Sequence, residues 1–191
     1  LDKDGEKMSK RKGNVINPFE ALRQYGPDPV RWYMISNSNP WDNLKFNLEG
    51  VTEVRNKFFG TLSNTYGFFA IYANIDQYII DGSNTIPLSQ RSELDRWIIS
   101  KLNSLIQTVT DCLDDFNPTA AAREIEEFVD AHLSNWYVRL CRKRFWHGEL
   151  SQDKQAAYQT LHECLVTVAQ LASPFAPFFS DWLYRNLTET A

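Results

Sequence analysis

Lys7-Met8-Ser9-Lys10-Arg11 sets three cations within five residues, with Lys12 directly behind, Gly5 ahead and Gly13-Asn14 after. Lysine is a compact point charge with rotatable donors, suited to a polyphosphate. Flanking glycines let the backbone come close to a ligand. Cations delivered on such a loop can stabilise charge that grows on a departing pyrophosphate. The plain alternative is a solvated, charged loop. A second cluster lies in Arg139, Arg142, Lys143 and Arg144, beside Trp136, Phe145 and Trp146, in a run with no acidic residue between Asn135 and His147. Cations interleaved with aromatic faces suit unstacked nucleic-acid bases and their phosphates. On a helical wheel Arg139 and Lys143 fall near the side of Trp136, and Arg142 and Arg144 flank them. The competing reading pairs Arg139 and Arg142 with a buried acid such as Asp95.

The elements that must carry these clusters read as helices. Pro18 suits a first helical position, and Gly26 ends that short helix. A second short helix follows Pro27-Asp28-Pro29, with Asp28 as its expected N-cap. From Leu48 the residues Val51, Val54, Phe58, Leu62, Thr65, Phe69 and Tyr72 recur every three or four positions, the helical period. A polar connector spans 81–90. Leu94, Trp97, Ile98, Leu102, Leu105, Val109 and Leu113 form a second stripe. After Asn117-Pro118 a third stripe runs Ala121, Ile125, Phe128, Val129, His132, Leu133, Trp136, Leu140. Continuous to Trp146, that helix holds about 30 residues, or roughly 45 Å. His132 lies on its apolar side and reads as a core histidine. Ser151 is the expected N-cap of the next helix, which carries Leu161, Leu165, Val168 and Leu171. A last helix is expected from Pro174. Strand alternation is nowhere sustained. The expectation is an all-α helical bundle over 48–191, preceded by a signature loop and short helices in 1–47. Residues 1–16, rich in Gly and Lys, are expected to be mobile against that bundle.

Composition narrows the functions. The 191 residues include 6 Trp, 12 Phe and 8 Tyr and are 43% hydrophobic, which supports a large core and argues against disorder. No apolar run reaches about 18 residues, so no membrane-spanning helix is expected. The 3 cysteines form no CxxC pair, so neither a disulfide framework nor a zinc site is expected. The formal net charge of −4 shifts attention from total charge to its distribution. Acid gathers in Asp111, Asp114, Asp115, Glu124, Glu126, Glu127 and Asp130, so an acidic average can coexist with a basic patch. The chain opens on Leu1 directly before the cationic string and has no Gly-rich phosphate loop, which reads as a fragment of a longer protein. His147-Gly148, at a helix end, is not expected to be a nucleotide site.

The string KMSKRKGNVINP resembles the KMSKS signature of class I aminoacyl-tRNA synthetases, with Arg11 where the signature has its last serine. GPDPVRWYMI resembles the segment that leaves the catalytic domain. LDRWIISKLN, LSNWYVRLCRKRFW and LASPFAPFFSDWLYRNL resemble successive helices of the anticodon-binding bundle, in family order. Ser134-Asn135-Trp136-Tyr137 and Arg139-x-x-Arg142 favour the isoleucyl branch over the valyl or leucyl. The resemblance implies a parent enzyme in the cytoplasm, a monomer without membrane partners, that joins L-isoleucine to tRNA(Ile) using ATP and Mg2+. It implies that Lys7, Met8, Ser9, Lys10 and Arg11 bind ATP, with Lys7 and Lys10 catalytic. It further implies that Trp136, Arg139, Arg142, Lys143 and Arg144 bind tRNA. The fragment alone would retain no cofactor and no turnover. The alternatives are a valyl or leucyl synthetase fragment, or a free-standing helical tRNA-binding module.

Overall fold

A computed structural model of the chain describes residues 1–80, 84–146 and 148–188. Asp81, Gly82 and Ser83 of the expected connector, and His147 of the His-Gly pair, lie outside the described residues. Helices dominate, and no strand occurs among the described residues.

Two short helices follow the cationic loop. Helix α1 (Pro18–Tyr25) opens on the Asn17 side chain, which accepts from the Phe19 N–H. It stops at Gly26, whose φ of +84° is open chiefly to glycine. Helix α2 (Pro27–Asn37) restarts at once. Helix α3 (Leu48–Val54), capped by Asn47, passes through a π-helical turn, Arg55–Phe59, into α4 (Gly60–Ile75). Helix α5 (Glu93–Asp114) begins with a reciprocal capping box between Ser92 and Asp95. Helix α6 (Pro118–Glu127) runs through a π-helical stretch, Phe128–Val138, into α7 (Arg139–Trp146), so the expected long rod is present. Helix α8 (Gln152–Ala172) starts at Ser151, whose hydroxyl accepts from the Lys154 N–H. Helix α9 (Pro177–Thr188) closes the bundle.

The core gathers Ile98, Leu102 and Val109 of α5, Ile125 of α6, Leu161, Leu165 and Val168 of α8, and Leu183 of α9. The stripe from Val51 to Tyr72 is buried or half-buried throughout, with Phe58, Leu62 and Phe69 in the core. Trp32, which precedes the expected boundary at residue 47, also lies in this core and is fully buried. Its ring stacks on Phe58 at 4.1 Å and meets Phe59 and Phe175 edge-on. Its indole N–H donates to Glu126. Arg123 donates to the carbonyls of Ser36 and Asn37, and Thr119 to that of Ile35. These bonds satisfy the last carbonyls of α2.

Two expected helix starts change. Asp28 does not cap α2, whose first residue is Pro27. Its buried carboxylate instead accepts from the Phe179 N–H at 2.6 Å and so caps α9 across the fold. The last helix starts at Pro177, not Pro174, because residues 173–176 form the tight turn that reverses the chain. Arg31 holds that turn by donating to the carbonyls of Pro174 and Phe175.

Candidate functional site: a cationic loop and a basic aromatic helix face

The cationic loop is organised from within. Ser9 caps a single 3-10 turn, Lys10–Lys12, by accepting from the Lys12 N–H, and Gly13 closes it at φ +70°. Asn14 ties this loop together. Its Oδ1 accepts from the Ser9 N–H at 2.8 Å, and its Nδ2 donates to Asp2 at 2.7 Å. Residues 1–16, expected to be mobile, therefore carry their own hydrogen-bond set. Lys12 is committed to Glu6 at 2.7 Å. Lys7, Lys10 and Arg11 are exposed, and no ion pair among the described residues involves them. Three uncommitted cations on one short loop suit a polyanion, because their mutual repulsion is relieved when it binds.

The second cluster divides in two. Trp136, Leu140 and Trp146 are 54%, 55% and 57% exposed. Arg139, Arg142 and Lys143 are exposed beside them and carry no ion pair among the described residues. Arg144 departs from the expectation that it faces tRNA. Its Nη1 and Nη2 each lie 2.8 Å from one oxygen of Asp95, and its Nε and Nη2 also grip Asp153. The guanidinium is a half-buried structural fork, and its donors are spent. Phe145, expected as a stacking face, is also buried, against Phe68 and Tyr158. The acid partner foreseen for Arg139 or Arg142 is real, but Arg144 takes it.

The cause is the π-helical stretch. Each π turn takes up an extra residue relative to an α turn, so the wheel slips past Leu133. Tyr137, Cys141 and Phe145 turn inward where an unbroken α-helix would bury Trp136 and Leu140. The slip delivers two tryptophans and three cations to solvent together. Only a locally i→i+5 hydrogen-bond pattern reports it, and single-sequence periodicity carries no sign of that pattern.

Asp95 is the anchor of this helix. It is fully buried, and Tyr137 donates to it at 2.6 Å and Ser92 at 2.8 Å. Burial alone would raise its pKa, but the hydrogen bonds from Arg144 and Tyr137 bring it below the usual carboxylate value. Burial and the neighbouring Asp95 charge hold the Tyr137 phenol well above its ordinary pKa. His132, expected in the core, is half-buried and meets Trp97 and Phe128 edge-on. No group of three or more His, Cys, Asp or Glu side chains among the described residues is placed to hold a metal. No helix among them is long and apolar enough to cross a membrane.

Residues 95–191 match the family described as the anticodon-binding domain of tRNA ligase. The chain belongs to that family. Residues 1–47 match the family of class I tRNA synthetases for I, L, M and V. The chain is 60% identical to the isoleucine–tRNA ligase of Cytophaga hutchinsonii over 191 residues, all of this chain and 17% of that protein. It is 58% identical to the isoleucine–tRNA ligase of Porphyromonas gingivalis over 98% of this chain and 16% of that protein. The chain thus spans about a sixth of the length of the relatives it matches. In fold it is similar to Mycobacterium tuberculosis methionyl-tRNA synthetase in complex with methionyl-adenylate. That match has a TM-score of 0.78 at 19% identity and covers 95% of this chain and 35% of that one. A segment matching the class I tRNA synthetases and a match to the anticodon-binding domain therefore share one chain.

Proposed function

We propose that this chain is the signature-loop and anticodon-arm portion of an isoleucine–tRNA ligase. The parent would attach isoleucine to tRNA(Ile) with ATP, through an aminoacyl-adenylate. The observation that carries this reading is identity of 57–60% with isoleucine–tRNA ligases along practically the whole chain. The division at residue 47, between the end of a catalytic domain and the bundle, belongs to the same reading. So do a cytoplasmic location and a monomeric parent.

The residues fit their parts chemically. Lys7 and Lys10, exposed and uncommitted, meet the negative charge that builds on the leaving pyrophosphate. Met8, Ser9 and Arg11 complete the grip on ATP, and Ser9 shapes the turn beneath it. Mg2+ would accompany the phosphates and offset part of their charge. Arg139, Arg142 and Lys143 would take tRNA phosphates, and Trp136 and Trp146 offer stacking faces to unpaired bases. Arg144 supports this face from behind rather than touching RNA. The chain alone is expected to lack turnover, because it supplies one loop of the ATP site.

Aminoacylation by the full-length parent tests the reading, with isoleucine, valine and leucine offered alongside their tRNAs. Preferential charging of tRNA(Ile) with isoleucine is expected. Preferential charging with valine or leucine overturns the isoleucyl assignment, and no charging at all favours a tRNA-binding module.

A further inference from the structure

The cationic loop is closed at its neck by two side chains that carry no cation. Asp2 uses Oδ1 to accept the N–H groups of Asp4 and Glu6, at 3.1 and 2.7 Å, which folds residues 2–6 into a turn. Its Oδ2 accepts Asn14 Nδ2 at 2.7 Å. Asn14 also donates to the Lys7 carbonyl and accepts the Ser9 N–H. One amide thus joins the start of the loop, the backbone on either side of Met8, and the chain leaving Gly13. Ser9 in turn caps the turn that presents Lys10 and Arg11. Hydrogen bonding by Asn14, then by the Glu6 backbone, holds the Asp2 carboxyl below its usual pKa, so the acceptor is ionised at neutral pH.

We propose that Asp2 and Asn14 are positioning residues for the signature loop: their clasp sets where Lys7 and Lys10 meet the departing pyrophosphate. The proposal rests on the ligase reading above. The clasp fixes the backbone at Lys7 and Ser9 and leaves the cationic side chains of Lys7, Lys10 and Arg11 exposed. Misplacing a catalytic group by about 1 Å can cost two orders of magnitude in rate, so a neck that slackens should act on kcat without touching isoleucine binding.

A reciprocal swap in the full-length ligase tests this. Asn14→Asp keeps an acceptor for the Ser9 N–H but sets a second carboxylate against Asp2, which breaks the clasp. Adding Asp2→Asn restores a donor–acceptor pair with its direction reversed, and the new amide oxygen still accepts the Asp4 and Glu6 N–H groups. Two readouts are taken: tryptic cutting after Lys7, Lys10, Arg11 and Lys12, and ATP–pyrophosphate exchange. Asn14→Asp should speed cutting severalfold and lower exchange kcat by roughly tenfold or more, with the KM for isoleucine unchanged. The double variant should return both toward the parent value. A single variant that behaves as the parent, or a double variant as impaired as the single, overturns the proposal. Rescue of cutting without rescue of kcat also overturns it, because the clasp would then be structural only. Lys10→Ala is the control: if it leaves exchange intact, the ligase reading of the loop fails, while the cutting pair still reports on the clasp.

Discussion

Arg144 and Asp95 form a bidentate pair across the bundle, with both Nη–Oδ distances at 2.8 Å. The pair ties α7 to the first turn of α5, and Tyr137 joins it from the end of the π-helical stretch at 2.6 Å. Because the helix is held on its inward side, Arg139, Arg142 and Lys143 are free to face outward. Removing one member of a buried pair leaves the other charge uncompensated.

Arg144→Ala should therefore destabilise the bundle by about 3–5 kcal/mol, measured as faster exchange of the α5 amides. Arg144→Lys should recover only part of this, since an ammonium cannot reproduce the planar fork. The sign of the pH dependence follows from Asp95. Its folded pKa is lowered, so its contribution is present above the ordinary carboxylate pKa and is lost as pH falls through the lowered folded value. Asp95→Asn should remove that acid limb of the stability profile. An unchanged limb would assign it to other carboxylates.

Glu126 should behave in the opposite way. It accepts the Trp32 indole N–H, yet burial outweighs that hydrogen bond and raises its pKa. An acid whose folded pKa is raised costs stability as pH climbs from the unfolded toward the folded value, and the cost persists above it. Glu126→Gln keeps an acceptor for Trp32 and removes the half-buried charge. It should raise the unfolding temperature at pH 7 and change it little at pH 4. Destabilisation at neutral pH would mean that the charge itself is needed against Arg123 and Ser36.

The helical stripes were legible in the sequence because their period is local. Ile98, Leu102 and Val109 are buried where the spacing places them. The cationic loop was legible as a string of residue types, whereas the hydrogen bonds that Asn14 makes within it were not. Features set by distant parts of the chain were not. Asp28 caps a helix that begins 149 positions later, and no local pattern points there. Trp32 joins the bundle core from the segment assigned to another domain, because a buried Trp needs neighbours that only the assembled fold supplies. The slip past Leu133 misled the reading of Arg144, since a wheel drawn at one angle throughout cannot register a π turn.

At the loop, Lys10→Ala in the full-length ligase should lower the kcat of isoleucine activation by about two orders of magnitude, as loss of one preorganised charge donor does elsewhere. In the proposed role the cation meets charge that develops mainly in the transition state, so the isoleucine KM should stay near its original value. Lys12→Ala should cost much less, since Lys12 is paired with Glu6 at 2.7 Å and both side chains are exposed. A raised KM for ATP with unchanged kcat in Lys10→Ala would assign Lys10 to ground-state binding.

On α7 the exposed cations separate from the half-buried, ion-paired Arg144, and a double substitution can use that. Arg142→Ala with Lys143→Ala should leave the bundle folded, because neither side chain is buried or ion-paired among the described residues. If both touch phosphates, tRNA affinity should fall and the salt dependence should flatten. The slope of log K against log salt should lose roughly 0.7–0.9 per lost contact, toward the low end for single-stranded loop phosphates. Phosphate contacts weaken all tRNAs about equally, whereas a base contact erases the preference for the cognate anticodon. Trp136→Ala separates the two, since stacking on an unpaired base carries little charge and should lower affinity with the salt slope intact. Circular dichroism and melting of each variant come first, with Arg144→Ala as the reference for a fold-level effect. Native affinity and an unchanged slope in the folded double variant would move the tRNA contact to another face of the bundle.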